Sequence, residues 1–478
     1  MTDIPAGKLT QHSPKDRAFF GHPRGLAFIA LTEGGVTFSY YGMRAILVLY
    51  MANQLLTPGH VEHIWGFQAF KAAVDHIYGP TALGKPLASA IGGLFATVVF
   101  ATPFLFGLLA DRVLSRKGTI MWGAAILTLG HFLMAFESTF LIALACLFTG
   151  MGCIGNLKAQ VGSLYEAGDN RRADAFQLFV LAVQVSVIFS PLICGSLAKS
   201  IGYEWGFGAA GVGMALGFAV YLMAGRWLPP DPVVKTADGK NARPPLTSKD
   251  WRTISVLVLL LPVLALTAVA NEEIGNAYLL WGQDNFQLMF FGKEMPVSWL
   301  VSLDALVSTV TLILSVMFWR WYDSRFKALS EITKVAIGAT ITAFGPLVLV
   351  AASLHAAGGH KVGLGYGLAF HIINDFGFAN VYAIGLALFS RAAPPALAAT
   401  IVSAFTLHLS ITNFLVGKLG TYLTVMPGPL FWGMHAAIVA VGAVLLFVFA
   451  FFFRKTLAPD EPASPLDQPI LSPDAAAA

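Results

Sequence analysis

The chain has 478 residues, of which 56% are hydrophobic and 12% charged, and its mean hydropathy is +0.70; a water-soluble domain carries about twice that charge. Composition therefore excludes a soluble protein, and the many apolar runs of bilayer-crossing length exclude a single-span receptor. The net charge of +4 resides in clusters of Lys and Arg between apolar runs, which is a topology signal and not a nucleic-acid footprint.

Residues 1–24 are polar and basic, without the short apolar stretch and small-residue site of a cleavable signal. They read as a cytoplasmic N-terminal segment. Apolar spans then fall near 25–52, 83–110, 118–136, 139–164, 173–198 and 205–228, so residues 25–228 form a six-helix bundle. Between the first two spans, residues 61–78 read as a short amphipathic helix on the outer surface, and His60, Glu62 and His63 as solvated loop residues.

Residues 229–250 are rich in Pro, Lys, Arg and Asp, too short and polar to hide two crossings, and read as a cytoplasmic inter-bundle loop. Six further spans near 252–281, 297–322, 331–354, 362–390, 395–425 and 428–453 form a second bundle over 251–455. A Pro/Ala/Asp-rich segment, 456–478, reads as a disordered cytoplasmic tail. Placing both termini inside puts Arg116, Lys117, Arg171, Arg172, Arg243, Lys249, Arg325, Lys327, Arg454 and Lys455 on the cytoplasmic face, as the positive-inside rule requires. Cys146, Cys153 and Cys194 lie in apolar runs and read as packing residues. The glycines at 211, 213 and 217 sit inside a span with no preceding strand, so they read as helix packing rather than a phosphate loop.

Ionisable residues within these spans are the informative anomalies, since each costs about 2.5–3.5 kcal/mol to insert. Glu33, Thr37, Tyr40, Tyr41 and Arg44 recur at steps of three and four and so share a helical stripe. His371, Asp375, Phe378 and Tyr382 form another, with His371 and Asp375 close enough to share a proton or a packing hydrogen bond. Arg44 and Lys158 face Glu33, Glu272, Glu273, Asp304 and Asp375. If all line one cavity, it is rich in acid.

The run Glu33-Gly-Gly-Val-Thr-Phe-Ser-Tyr-Tyr-Gly42-Met-Arg44 resembles the E-x-x-E-R-F-x-Y-Y-G first-helix signature of the proton-dependent oligopeptide transporter (POT) family, with Val36 and Thr37 replacing its second Glu and its Arg. The run Gly107-Leu-Leu-Ala-Asp111-Arg112 resembles the loop after the second helix of the major facilitator superfamily. Gly155-Asn156 and Gly162 to Tyr165 are similar to the family's K-[PG]-N and G-x-L-Y patterns, with Ile154 in place of the Lys and Lys158 one turn on. Phe179 and Gln184 resemble F-Y-x-x-I-N, and Glu272 to Asn276 resembles F-E-Q-x-G-[SN]. Phe378 stands on the family's G-E-L glutamate, Phe405 on its Trp, and Asp304 where it tends to have Asn.

The resemblance implies an all-α integral membrane protein of the major facilitator fold, with 12 transmembrane helices in two six-helix bundles and a substrate site between them. It implies a secondary transporter of di- and tripeptides or peptide-like solutes, with protons as co-substrate. Tyr40, Tyr41, Arg44, Asn156, Lys158, Gln184, Glu272, Asn276 and Phe405 are the expected substrate-binding residues, Glu33 and Glu272 the proton-coupling acids, and Asp111 and Arg112 the gate. A monomer in the bacterial inner membrane is expected, with lipid as its solvent and no nucleic-acid partner, enzyme activity, metal or organic cofactor. A proton-independent facilitator of a non-peptide or amine-bearing solute and a non-transporting ligand sensor are the alternatives.

Overall fold

The computed structural model describes residues 16–113, 115–155, 157–165, 169, 171–229, 246–394 and 397–457. The N-terminal half holds α1 (Arg24–Tyr50), extended by a π turn over Met51–Leu55, then α2 (Phe67–Tyr78), α3 (Lys85–Val113), α4 (Arg116–Leu133), α5 (Phe140–Ile154), α6 (Leu157–Ser163), α7 (Arg171–Ser200) and α8 (Tyr203–Ala224). The C-terminal half begins with α9 (Ser248–Glu272) and α10 (Ala277–Asn285), followed by a two-residue-strand hairpin of β1 (Met289–Phe290) and β2 (Lys293–Glu294). It continues with α11 (Trp299–Arg325), α12 (Glu331–Ala356), α13 (Gly365–Ala379), a π turn over Asn380–Ile384, α14 (Gly385–Ala392), α15 (Ala398–Ala404), α16 (Leu407–Gly420) and α17 (Gly428–Leu457).

Helix starts follow ordinary capping chemistry. The Ser115 hydroxyl accepts from the Gly118 amide at 3.1 Å to open α4, and Thr247 and Asp250 cap one another's backbone to open α9. Among the described residues, ten helical segments are long and apolar enough to cross a membrane. The other two crossings are α1, which carries Arg24, Glu33 and Arg44, and the shorter α4, which starts with Arg116 and Lys117. Both pack mainly within the first half: α1 lies against α7 and α8, and α4 against α5 and α8.

Short helices combine into single crossings: α5 with α6, α9 with α10, α13 with α14, and α15 with α16. The result is six crossings in each half. Apolar side chains such as Leu216, Met223, Val444 and Phe451 point outward, as lipid solvation requires.

The halves meet along two seams, α3 against α16 and α7 against α11. At the first, a Cβ on Gly93 would lie 2.3 Å from the Gly417 Cα, so only glycine permits this approach. One continuous apolar core joins both halves at one end of the molecule, from Tyr50 and Phe207 to Tyr278, Trp281 and Trp432. Toward the other end the C-terminal half has a core of its own, with Val256, Val335, Phe389 and Leu446. Among the described residues, the apolar core that the two bundles share thus seals them together at one end.

Ion pairs reinforce that seal. Lys85 of α3 meets Asp284 of α10, and Lys199 of α7 meets Glu294 of the hairpin at 2.7 Å. Asn53 donates to Tyr203 at 3.2 Å within its own half and to Gln283 across the seam at 3.1 Å. The glycines of α8 pack as expected, Gly213 against Phe38 and Gly217 against Gly35. His60 and His63 are not merely solvated: both approach Glu137, at 2.6 and 3.6 Å.

Candidate functional site

A cavity of about 310 Å³ lies between the bundles. The first half contributes Tyr41 and Arg44 from α1 and Gln184 from α7; the second contributes Glu272 from α9, Asp304 and Ser308 from α11, and Asp375 from α13. Phe378 and Tyr382 add an aromatic flank.

Helix irregularity shapes this wall. The helix of α9 tightens into a 3-10 turn over Glu273–Gly275 before α10 resumes, and the α13 crossing passes through a π turn that begins at Asn380. Asn380 secures that turn by donating to the Phe376 carbonyl at 2.6 Å while accepting from Ser315 of α11 at 2.8 Å. Interrupted helices at mid-membrane leave polar groups facing a cavity, where they are tolerated because water or ligand reaches them.

The central contact is an ion pair between halves. Arg44 Nη2 donates to Glu272 Oε2 at 2.6 Å, and Asn413 Nδ2 of α16 donates to the same oxygen at 3.0 Å. Gly275 makes room for the guanidinium, since a Cβ there would stand 2.8 Å from Arg44 Nε. With Arg44 matched to Glu272, Asp304 and Asp375 remain as surplus acid in the wall.

Of the expected binding residues, Tyr41, Arg44, Gln184 and Glu272 border the cavity. Gln184 spans the second seam, donating to Thr309 Oγ1 at 2.6 Å. Asn276 is buried beside a small adjoining cavity and joins the halves by donating to the Ser89 carbonyl at 3.2 Å. Tyr40 is buried and packs edge-on against Tyr41. Phe405 is fully buried one layer back, in contact with Tyr382, Phe389 and His408. Lys158 is exposed on α6, and neither it nor Glu33 borders the cavity. Glu273 also lies outside it, buried against His435 Nε2 at 2.9 Å. Asn156 and the side chains of Asp111 and Arg112 fall outside the described residues.

Asn413, Gly275 and Ser308 are site residues that single-residue reading passed over. Ser308 was recoverable, lying four positions from Asp304 on the same helical face. Asn413 and Gly275 act through contacts distant in sequence, which no local spacing reports.

Two six-helix halves around a mid-membrane cavity, sealed at one end, define a multi-pass membrane transporter of the major facilitator fold. The POT family model matches residues 117–242. The peptide transporter YePEPT of Yersinia enterocolitica is 26% identical, over 92% of this chain and 96% of its own. A di-/tripeptide transporter of Lactococcus lactis is 31% identical, over 52% of this chain and 46% of its own. A crystal structure of the peptide transporter POT in complex with sulfate has the same fold, with a TM-score of 0.78 at 22% identity, covering 92% of this chain and 97% of that one. The chain is thus similar to peptide transporters of the POT family over most of its length.

Proposed function

We propose that the protein carries di- and tripeptides or peptide-like solutes with an exposed amine across the bacterial inner membrane, by alternating access coupled to protons. The observation that carries this reading is the Arg44–Glu272 pair, which ties the two halves together at the cavity itself. Rocking one bundle against the other has to part these charges, and a proton on Glu272 removes the attraction that opposes it. While Arg44 is held by Glu272, Asp304 and Asp375 attract the ammonium of the solute.

With both termini cytoplasmic, the sealed end is the outer one and the cavity belongs to an inward-facing form. A monomer suffices, since one chain supplies the whole cavity wall. Glu272 takes the coupling role ahead of Glu33, which stands outside that wall. Each proton moving through 100 mV contributes about 2.3 kcal/mol, enough to concentrate a solute roughly fifty-fold.

The test is purified protein in liposomes with dipeptides, C-terminally amidated dipeptides and simple amines, under imposed pH gradients. Gradient-driven uptake, with amidated peptides competing about as well as free ones, is expected because Arg44 is already engaged. Equal uptake with and without the gradient would select the proton-independent facilitator. Free dipeptides outcompeting their amides by a large factor would overturn the assigned preference for the amine.

A further inference from the structure

The surplus acid of the cavity is organised. Asp304 of α11 and His371 and Asp375 of α13 bring one imidazole nitrogen and one oxygen from each carboxylate within 4.8 Å of one another. His371 Nδ1 stands 3.2 Å from Asp304 Oδ1 and 3.9 Å from Asp375 Oδ2. Its other nitrogen, Nε2, is 3.2 Å from the Tyr278 hydroxyl, and the Tyr278 ring is wedged among Phe286, Phe370 and Trp432. The imidazole is therefore held with Nδ1 toward the acids.

Asp375 is 2% exposed. Its Oδ1 accepts from Asn374 Nδ2 at 3.0 Å, but its Oδ2, the oxygen nearest His371, has no hydrogen-bond partner. A buried carboxylate oxygen without a partner is unfavourable, and a second carboxylate in the same cluster makes full ionisation of both worse.

The charged surroundings offer no relief. Arg44 is taken by Glu272, and the Glu273–His435 pair is closed on itself. The neighbouring wall contributes Tyr41 and Tyr382, while α12 meets α13 with Gly345 against Asn374 and Thr342 against Gly377. One added proton satisfies the orphan oxygen and halves the acidic charge.

We propose that Asp304, His371 and Asp375 form a proton-binding site inside the C-terminal bundle that carries the coupled proton through the transport cycle. This rests on the proton-coupled reading above and names a second site for it. Asp304 borders the cavity with its side chain 22% exposed, so it takes the proton from cavity water, and His371 relays it to the buried Asp375 oxygen. All three residues belong to one bundle. Their mutual distances consequently survive the rocking that parts Arg44 from Glu272, and the proton travels with the bundle until the cavity opens on the other side and Asp304 returns it to water. Protonating the cluster also favours occlusion, because shutting two bare carboxylates away from water is unfavourable.

The experiment uses the full chain and two readouts. In liposomes with alanyl-alanine amide as probe, Asp375→Asn is expected to lower the ratio of gradient-driven accumulation to its own gradient-free exchange of the probe by about tenfold or more. Asp304→Asn, at the wetter position, is expected to do the same and guards against misfolding of the first variant. In weakly buffered detergent solution, Asp375→Asn should take up one proton fewer than the unaltered protein between about pH 8 and pH 5.

Equal proton uptake by the two proteins would overturn the assignment whatever transport shows. So would a raised KM for the probe in exchange with accumulation still driven by the gradient, which would leave the cluster an ammonium subsite alone. If the unaltered protein exchanges the probe but ignores the gradient, the coupled-transport reading fails, and the titration still reports separately on the proton site.

Discussion

The two bundles meet the same cavity with opposite chemistry. The first half brings a guanidinium, an amide and a tyrosine; the second brings three carboxylates, of which the guanidinium answers one. A contact between halves must be made and broken in each cycle, whereas a contact within one half can persist. Arg44–Glu272 is of the first kind and is the proposed latch, while Asp304–His371–Asp375 is of the second and is the proposed reservoir. The latch senses where the bundles stand, and the reservoir is indifferent to it.

Breaking the latch chemically gives the largest expected effect. Glu272→Gln leaves the Arg44 charge without its partner, and removal of one member of a buried pair costs about 3–5 kcal/mol. Thermal unfolding in detergent should show a clear loss of stability, and gradient-driven uptake should fall by at least about tenfold. The double variant Arg44→Gln with Glu272→Gln should recover most of the stability but not the transport. If the single and double variants lose stability additively, the two residues do not act as a latch.

Gly275→Ala sharpens the comparison by moving the latch without removing its charges. Its new methyl would stand 2.8 Å from Arg44 Nε, and such overpacking costs about 1–3 kcal/mol. Uptake should slow while its dependence on the gradient remains. An unchanged rate would mean that Arg44 has room the geometry does not give it.

Asn413→Ala removes one donor from Glu272 Oε2 and leaves Arg44 in place. A loss of about 1–3 kcal/mol follows from an acceptor deprived of one partner. The matching loss should vanish when the substitution is made on a Glu272→Leu background, which has no side-chain acceptor, as a double-mutant cycle measures. Persistence of the full effect there would assign Asn413 to packing of α16.

Hydropathy and charge placement made the twelve crossings legible, because lipid demands long apolar runs and leaves few alternatives. Breaks within crossings were not. The single span read over 252–281 is α9, a 3-10 turn and α10, and the one over 362–390 contains a π turn. Apolarity reports which solvent a segment faces and is silent on which carbonyl each amide selects. The same limit separates Glu272 from Glu273: adjacent residues on a helix point about 100° apart, so one reaches Arg44 and the other His435. Helical stripes correctly grouped Tyr41 with Arg44 and Asp375 with Tyr382, yet the stripe through Glu33 extends past the end of the cavity. Partners 228 positions apart, as Arg44 and Glu272 are, carry no local signature.

The smallest effect is expected at the rim, where Lys199 and Glu294 join the halves at 2.7 Å while both remain about half exposed. The Lys199 ammonium hydrogen-bonded to Glu294 holds its carboxyl below the ordinary glutamate range. A depressed carboxylate stabilises the sealed end fully at pH above its ordinary value and ceases to as the pH falls through its lowered one. The pair is therefore insensitive near neutrality, where the cavity acids are proposed to act. Exposed pairs contribute about 0–1 kcal/mol, so Glu294→Gln should leave stability nearly unchanged and shift accessibility of the sealed end slightly, as cysteine labelling beside Asn53 would read. A large change in the pH dependence of uptake on this substitution would move the pH-sensing element from the cavity to the rim and dissolve the distinction between latch and reservoir.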